Sequence, residues 1–309
     1  MNWLKKPWLQ KLGHWRKMSQ QVLSINQRNL EFIYRYNPRK FYKTADDKRL
    51  TKQLLAAQGV PVPPSYFVIE SFHQTQQVGE MLGDLDDFVI KPAQGSGGGG
   101  IVVITRRDEH GWYTSSGTLW TLQDIQRHVA DIVFGTHSFD LGDFAIFEQR
   151  LRPAPLLHQL SPWGLADLRV IVLEHRPVMA MCRLPTKASG GRANLHQGAV
   201  GVGIDMKTGR TTHAIHAGMP IILHPDHGEN LIGLLLPDWE KCLQIAQRCG
   251  EILPLKYLGV DLAMTDTGPQ VLEVNARPGL AIQLANDCGL RPALFDVAKV
   301  DVTQAEAGA

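Results

Sequence analysis

Apolar and polar positions alternate with a period of two over several short stretches of this chain, and with a period near 3.6 over a few longer ones. Asp46-Asp47 precedes residues 48–58, where Leu50, Leu54 and Leu55 share one face and Gly59 follows as a stop. That spacing predicts an N-capped helix. Residues 75–82 and 121–134 carry further helical patterns, and residues 238–250 align Cys242, Ile245, Ala246 and Cys249 before a terminal glycine. Strands are predicted near 66–69, after the run Val60-Pro61-Val62-Pro63-Pro64, and at 144–149, 168–174 and 178–184, with another at 198–204. A short helix and a polar tail after Val302 close the pattern, and no internal repeat interrupts it.

One β-prone pair has an unusual connection. Phe88-Val89-Ile90-Lys91-Pro92 and Ile101-Val102-Val103-Ile104 flank Ala93-Gln94-Gly95-Ser96-Gly97-Gly98-Gly99-Gly100. Glycine lets backbone N–H groups approach and converge on an anion, and a lysine at the lip adds a compact positive charge. The loop lacks the Gly-Lys-Ser/Thr ending of a P-loop and opens no helix, so strand, glycine flap, strand predicts a hairpin folding over a triphosphate. A flexible Gly/Ser surface loop is the bland alternative.

A second hairpin is predicted from residues 257–264 and 270–276, joined by Thr265-Asp266-Thr267-Gly268-Pro269. A five-residue turn pairs Met264 with Gln270 and sets Asp261 across from Glu273. Asp261, Glu273 and Asn275 then share one face, with Val260, Leu262, Leu272 and Val274 on the core face. Opposed carboxylates repel unless a cation lies between them. Oxygen donors without imidazole or thiolate suit Mg²⁺ or Mn²⁺.

Bulk composition changes the picture only at one end. The first fifty residues hold twelve Lys/Arg against three Asp/Glu, so the remainder carries −7 of a total charge of +2. Residues 1–45 are expected as one or two basic helices, with Trp3, Trp8 and Trp15 among Lys5, Lys6, Lys11, Arg16 and Lys17. Such an arm suits a peripheral anionic surface; the preferred alternative packs the tryptophans onto the body, and no nucleic-acid partner is expected. Cys182, Cys242, Cys249 and Cys288 show no CxxC or disulfide spacing, and no apolar run approaches a membrane span. Both features predict a cytoplasmic chain.

A lysine before a helix, a strand-lysine-flap hairpin, a glutamate-bearing strand and a late Asp…Glu-x-Asn hairpin recur in that order in the ATP-grasp ligases. The sequence resembles them over residues 46–290, and most of all the RimK-related α-L-glutamate ligases. Asp47-Lys48, Gly59-Val60-Pro61-Val62-Pro63, the flap hairpin, Asn194-Leu195-His196, Gly259-Val260-Asp261 and Leu272-Glu273-Val274-Asn275-Ala276-Arg277-Pro278-Gly279-Leu280 carry the likeness.

The resemblance implies an α+β, ATP-grasp fold: two α+β lobes with a nucleotide between two antiparallel sheets. Residues 1–45 would form the basic extension, 46–290 the ATP-grasp domain and 291–309 the closing helix and tail. Lys48 and Lys91 would contact ATP phosphates beneath a flap of Gln94, Gly95, Ser96, Gly97 and Gly98. Glu148 would mark the adenine hinge, with backbone groups at Gln149 and Leu151 reading the base edge. Asp261, Glu273 and Asn275 would hold Mg²⁺ (or Mn²⁺). Arg183, Asn194 and Arg277 would stabilise the transferring phosphoryl group.

The implied activity joins a carboxylate to an amine at the expense of ATP, glutamate or another amino acid being added to a peptide, protein or small acceptor. A small-molecule kinase and a non-catalytic nucleotide-binding adaptor remain as alternatives, and an oligomer is compatible with all three. Two features depart from the family plan: the short segment ahead of residue 46, where relatives carry a sizeable domain, and the long, proline-bearing stretch 150–166. His213/His216 and His224/His227 make a zinc site conceivable, but no cysteine lies near either pair in sequence.

Overall fold

The computed structural model describes residues 20–95, 97–138 and 142–298. The expectations for Trp3, Trp8, Trp15, Ser96 and the polar tail lie outside the described residues.

The first lobe is a six-stranded antiparallel sheet. Its strands are β1 (Ser65–Ile69), β2 (Phe88–Pro92), β3 (Val102–Asp108), β4 (Gly111–Thr114), β5 (Leu119–Trp120) and β6 (Ala145–Glu148), in the order β1-β6-β2-β3-β4-β5. One helix, α2 (Leu122–Val133), backs this sheet, whereas α1 (Lys48–Ala57) buries Leu55 in the core of the second lobe. Thr121 caps α2 by accepting from the Asp124 N–H, and the Asp124 carboxylate accepts from the Thr121 N–H in return. Ile125, Val129 and Ile132, at helical spacing, are fully buried against Phe88, Ile90 and Phe147 of the sheet. Each such side chain contributes about 1.5–3 kcal/mol through burial.

The second lobe holds β7 (Asp167–Leu173), β8 (Arg176–Leu184), β9 (Val200–Ile204), β10 (Thr211–His216), β11 (Met219–Ile221), β12 (Tyr257–Thr265) and β13 (Gly268–Asn275), in the order β11-β10-β9-β8-β7-β12-β13. Both faces of its centre are covered. On one, α3 (Trp239–Ile252) packs Cys242, Ile245, Ala246 and Cys249 against Leu258, Val260 and Leu262. On the other, Leu23, Phe32 and Ile33 pack against Ile171, Leu173 and Tyr257. Every residue of β12 is buried, which explains its nearly unbroken apolar run.

Residues 20–45 are therefore built into this lobe. Asn37 is 1% exposed, donates through Nδ2 to the carbonyls of Tyr257 (2.7 Å) and Ala276 (2.9 Å), and accepts from the Lys256 and Tyr257 N–H groups. Leu23 and Gln283 exchange two further hydrogen bonds.

Two details differ from the sequence expectation. In α1 the buried residues are Thr51, Lys52 and Leu55, so the inward face is turned away from Leu50. In the β12–β13 hairpin, Thr265 already pairs with Gly268, which shortens the turn to Asp266-Thr267. A β-bulge between Asp261 and Leu262 absorbs the offset: Leu262 faces Val271, Asp261 faces Glu273, and Leu272 is the extra residue. Val271 and Val274 accordingly both reach the core, and Leu272 is only half-buried rather than a core residue.

Candidate functional site

Lys48 is the first residue of α1 because Asp47 caps the helix, accepting from the N–H groups of Arg49 (3.0 Å) and Leu50 (3.2 Å). The Lys48 ammonium donates to the carbonyl oxygens of Gly95 (2.5 Å) and Ala93 (3.4 Å), at the root of the glycine loop. One turn on, Lys52 is buried. Its ammonium pairs with Glu148 Oε1, while Lys91 Nζ meets Glu148 Oε2 at 2.6 Å. The sheet register explains the second contact: Glu148 faces Val89 and Ile146 faces Lys91, so Lys91 and Glu148 are diagonal neighbours on one face.

All three groups of this buried triad are nearly inaccessible, and the charge does not balance. Burial, then the Lys91 charge, lowers the Lys52 ammonium to about 7 despite its pairing with Glu148. Burial alone would raise the Glu148 carboxyl, but Lys91 and Lys52 outweigh it and hold the group below its ordinary value. Lys48 is lowered by burial, with Glu273 the strongest opposing charge and Lys91, Asp143 and Glu148 also in its field.

The glycine loop is tied at both ends to one segment. Asp143, itself buried, accepts the Gln94 N–H through both carboxylate oxygens (3.0 and 3.1 Å) and the Ser138 hydroxyl. At the far end, His128 Nε2 lies 2.9 Å from the Gly100 carbonyl oxygen, and the His137 ring packs so closely that a Cβ on Gly100 would meet it at 2.6 Å. Between these ends the loop lies against residues 192–197. A Cβ on Gly97 would meet Asn194 Nδ2 at 3.5 Å, and one on Gly98, whose φ is +77°, would meet Arg192 Cδ at 3.4 Å. Gln197 Nε2 donates to the Gly97 carbonyl oxygen (3.4 Å).

The second cluster is a row of charges running across four strands. Arg169 of β7 faces Asp261 of β12, which faces Glu273 of β13; one step along, Asp167 faces Arg183 of β8. Arg169 grips Asp261 through Nε (2.7 Å) and Nη2 (2.5 Å), and Arg183 Nη2 reaches the same carboxylate at 2.7 Å. Arg183 also forks onto Asp167 at 2.5 and 2.6 Å. Burial alone would raise Asp261, yet the two guanidiniums hold it well below the carboxylate range. Burial pushes the Asp167 carboxyl up to about 6 despite Arg183, and the Asp261 charge adds to the rise.

Glu273 is the accessible acid of the row. Its side chain is 34% exposed, and its Oε1 accepts from Asn275 Nδ2 at 3.2 Å, with Arg169 at 3.9 Å. The Asn275 amide nitrogen faces Asp261 as well, at 3.4 Å. The carboxylate oxygens of Asp261 and Glu273 are thus gathered beside the Asn275 amide, whose nitrogen faces them, and this set of hard-donor side chains fits Mg²⁺ or Mn²⁺, with Asp261 sharing its oxygens with two arginines. Among the described residues no three His, Cys, Asp or Glu side chains gather for a metal. His224 and His227 stack face to face at 4.0 Å, and burial lowers His224 to about 4.

The structure brings together Lys48, Lys91, Gln94, Gly95 and Glu148 on one side, and Asp261, Glu273, Asn275 and Arg183 on the other. Asn194 lies with Gly97 of the flap. Arg277 does not join Arg183; it is exposed, pairs with Asp46 at 3.1 Å and lies over the Tyr42 ring. The Gln149 N–H is already donated to Pro64 O at 2.9 Å and is not free for a base edge, and Leu151 is half-buried beyond it. Sequence reasoning missed Lys52, Asp143 and Arg169. Two of these had a signal: Lys52 is four residues from Lys48 on a helix, and Arg169 alternates with Asp167 on a strand.

A family profile described as sugar-transfer associated ATP-grasp matches residues 27–299. The chain belongs to this ATP-grasp family. Its curated relatives include a probable alpha-L-glutamate ligase of Xanthomonas oryzae pv. oryzae (strain MAFF 311018), 28% identical over 82% of this chain and 64% of that protein. Another, from Trichodesmium erythraeum (strain IMS101), bears the same description and is 26% identical over 83% of this chain and 64% of that protein. The ATP-grasp chain described here thus spans about 64% of the length of these relatives. Among solved structures, a D-alanine–D-alanine ligase from Bacillus anthracis aligns with 86% of this chain and 70% of its own, at 12% identity and a TM-score of 0.48. Among the described residues no helix is long and apolar enough to cross a membrane.

Proposed function

We propose that this chain is an ATP- and Mg²⁺-dependent, ADP-forming carboxylate–amine ligase. The observation that carries this reading is the position of Lys48 between two buried charge clusters. It touches the root of the flap through Gly95, and it feels Glu148 and Lys91 from one lobe and Glu273 from the other.

A carboxylate is a poor electrophile. Its oxygen attacks the γ-phosphorus of ATP, the bond to the β-bridging oxygen breaks, and an acyl phosphate and ADP result. An amine then attacks the carbonyl carbon, phosphate leaves and the amine proton is released. Lys48 and Lys91 would neutralise phosphate charge, and the flap N–H groups would exclude water around it. Glu148 would hold Lys91 on station, and Arg183 would fix Asp261. Asp261, Glu273 and Asn275 would hold Mg²⁺, which when bound offsets charge on the triphosphate. Arg277 is better placed to meet a substrate at the rim than to join the Arg183 cluster.

The description shared by the Xanthomonas and Trichodesmium relatives supports glutamate as the first amino acid to try, and the family's association with sugar transfer is the reason to include amino sugars in the screen. The decisive experiment incubates the chain with Mg-ATP and pooled amino acids, short peptides and amino sugars, scoring ADP release and new amide masses together. ADP release with a phosphorylated product and no amide would make it a kinase. Tight nucleotide binding without turnover would support the adaptor alternative.

A further inference from the structure

Residues 25–36 form one continuous helical stretch that is apolar on two sides. Phe32 and Ile33 are buried with Ile171, Leu173 and Tyr257 of the second lobe. Ile25, Leu30 and Tyr34 are instead 62%, 67% and 61% exposed. The middle of the stretch is wound as a π-helix, in which the Tyr34 N–H reaches back five residues to the Asn29 carbonyl. This wider turn sets Leu30 and Tyr34, four apart, along one outward line, with Ile25 near its start. A lone exposed leucine is ordinary, whereas a helix apolar on two sides has one side still to be covered.

The charge around this face has one sign. Residues 1–45 hold ten Lys/Arg and a single acid, Glu31, which is half-buried. Arg35, Arg39, Lys40 and Lys43, all within nine residues of Tyr34, are exposed. None of the four pairs with a carboxylate among the described residues, and the next acid along the chain, Asp46, is held by Arg277. Arg28 ties the stretch to the cleft, since its Nη1 donates to Pro278 O at 2.8 Å, three residues after Asn275.

We propose that the outward face of residues 25–43 docks on an anionic lipid surface. Ile25, Leu30 and Tyr34 enter the interface there, and the four cations meet the headgroups. Aliphatic side chains gain by leaving water for the acyl boundary, a gain that the phosphate backbone of a nucleic acid does not offer. A second copy docked face to face would bring the same cations together. The chain then binds peripherally, with the loop after Asn275 held beside the bilayer. Docking of this kind is independent of the ligase reading.

The test is co-sedimentation of the full chain with vesicles of phosphatidylcholine, alone or mixed with phosphatidylglycerol, and hydrogen exchange on the bound chain. Binding should require the anionic lipid and weaken with salt, and protection should rise in residues 24–36. Ile25→Ser/Leu30→Ser should lower the partition coefficient by about tenfold or more, because two apolar side chains no longer leave water. Arg39→Gln/Lys40→Gln should lower it roughly thirtyfold, the scale of two surface cations. Phe72→Ser/Phe134→Ser, which alters another exposed apolar pair, beside α2, should leave it unchanged. All six side chains are exposed, so none of these changes removes part of a core. No binding to the anionic vesicles, equal binding to both kinds, or binding that survives Ile25→Ser/Leu30→Ser would overturn the proposal. Tighter capture of a DNA duplex, or a lipid-free dimer that the same pair of substitutions abolishes, would reassign the face and overturn it as well.

Discussion

Glu273 sits directly across from Asp261 only because Leu272 is bulged out of the ladder. With the two-residue turn at Asp266-Thr267, regular pairing would set Asp261 opposite Leu272 and send Glu273 to the core face. The bulge returns the acid to the cleft side while keeping both Val271 and Val274 buried. A single irregularity therefore determines whether the acidic row exists.

Asp261 and Glu273 should separate stability from activity. Asp261→Ala leaves Arg169 and Arg183 buried without their shared partner, a defect of about 3–5 kcal/mol that thermal or urea unfolding will register. Glu273 is a third exposed, so Glu273→Gln should unfold within about 0.5 kcal/mol of the parent. Its turnover should nevertheless fall by roughly 10²–10³-fold, the usual loss for a removed transition-state contact. Equal loss of stability in both variants would contradict this division.

Lys52 gives a pH signature. Its folded value of about 7 lies below the ordinary lysine value of 10.5, so from pH 7 to 10 the unfolded chain holds a proton that the folded chain has lost. Stability attributable to this group therefore rises with pH across that window. In Lys52→Met the rise should disappear. The Tm gain from pH 7 to 9 should shrink by roughly 4–8 °C, the equivalent of about 2 kcal/mol in a chain of this size. An unchanged slope would mean that Glu148 keeps Lys52 charged throughout.

Gly164 and Gly191 touch backbone to backbone. Gly164→Ala should destabilise by about 1–3 kcal/mol through overpacking and loosen residues 187–198 behind the flap. Limited proteolysis should cut that loop sooner than in the parent chain. Gly279→Ala, where a Cβ meets nothing within 4 Å and φ, as at Gly164, is not left-handed, is the control for the added methyl alone.

Asn37→Ala should remove at least about 3 kcal/mol, because it deletes two donated and two accepted hydrogen bonds at a buried position. Cooperative loss of the second lobe, followed by hydrogen exchange in β12, would show that residues 20–45 fold with it. Selective exchange in residues 20–45 with β12 still protected would show the opposite.

Much of this protein was legible before any coordinates. Capping chemistry marked α1 at Asp47, period-two runs marked the flap hairpin and the late acidic hairpin, and residue order alone carried the ATP-grasp resemblance. Those signals are local, since a cap, a turn or a strand face is written within a few neighbouring residues. The partners of the buried charges were not legible. Lys52 meets Glu148 across 96 residues and Arg169 meets Asp261 across 92, and no local period encodes a contact at that separation. The bulge at Leu272, the exposed placement of Arg277 and the outward placement of Ile25, Leu30 and Tyr34 were likewise decided by tertiary packing. Side chains choose their faces there by the neighbours that arrive from elsewhere in the chain, and burial makes an unpaired charge too unfavourable to leave alone.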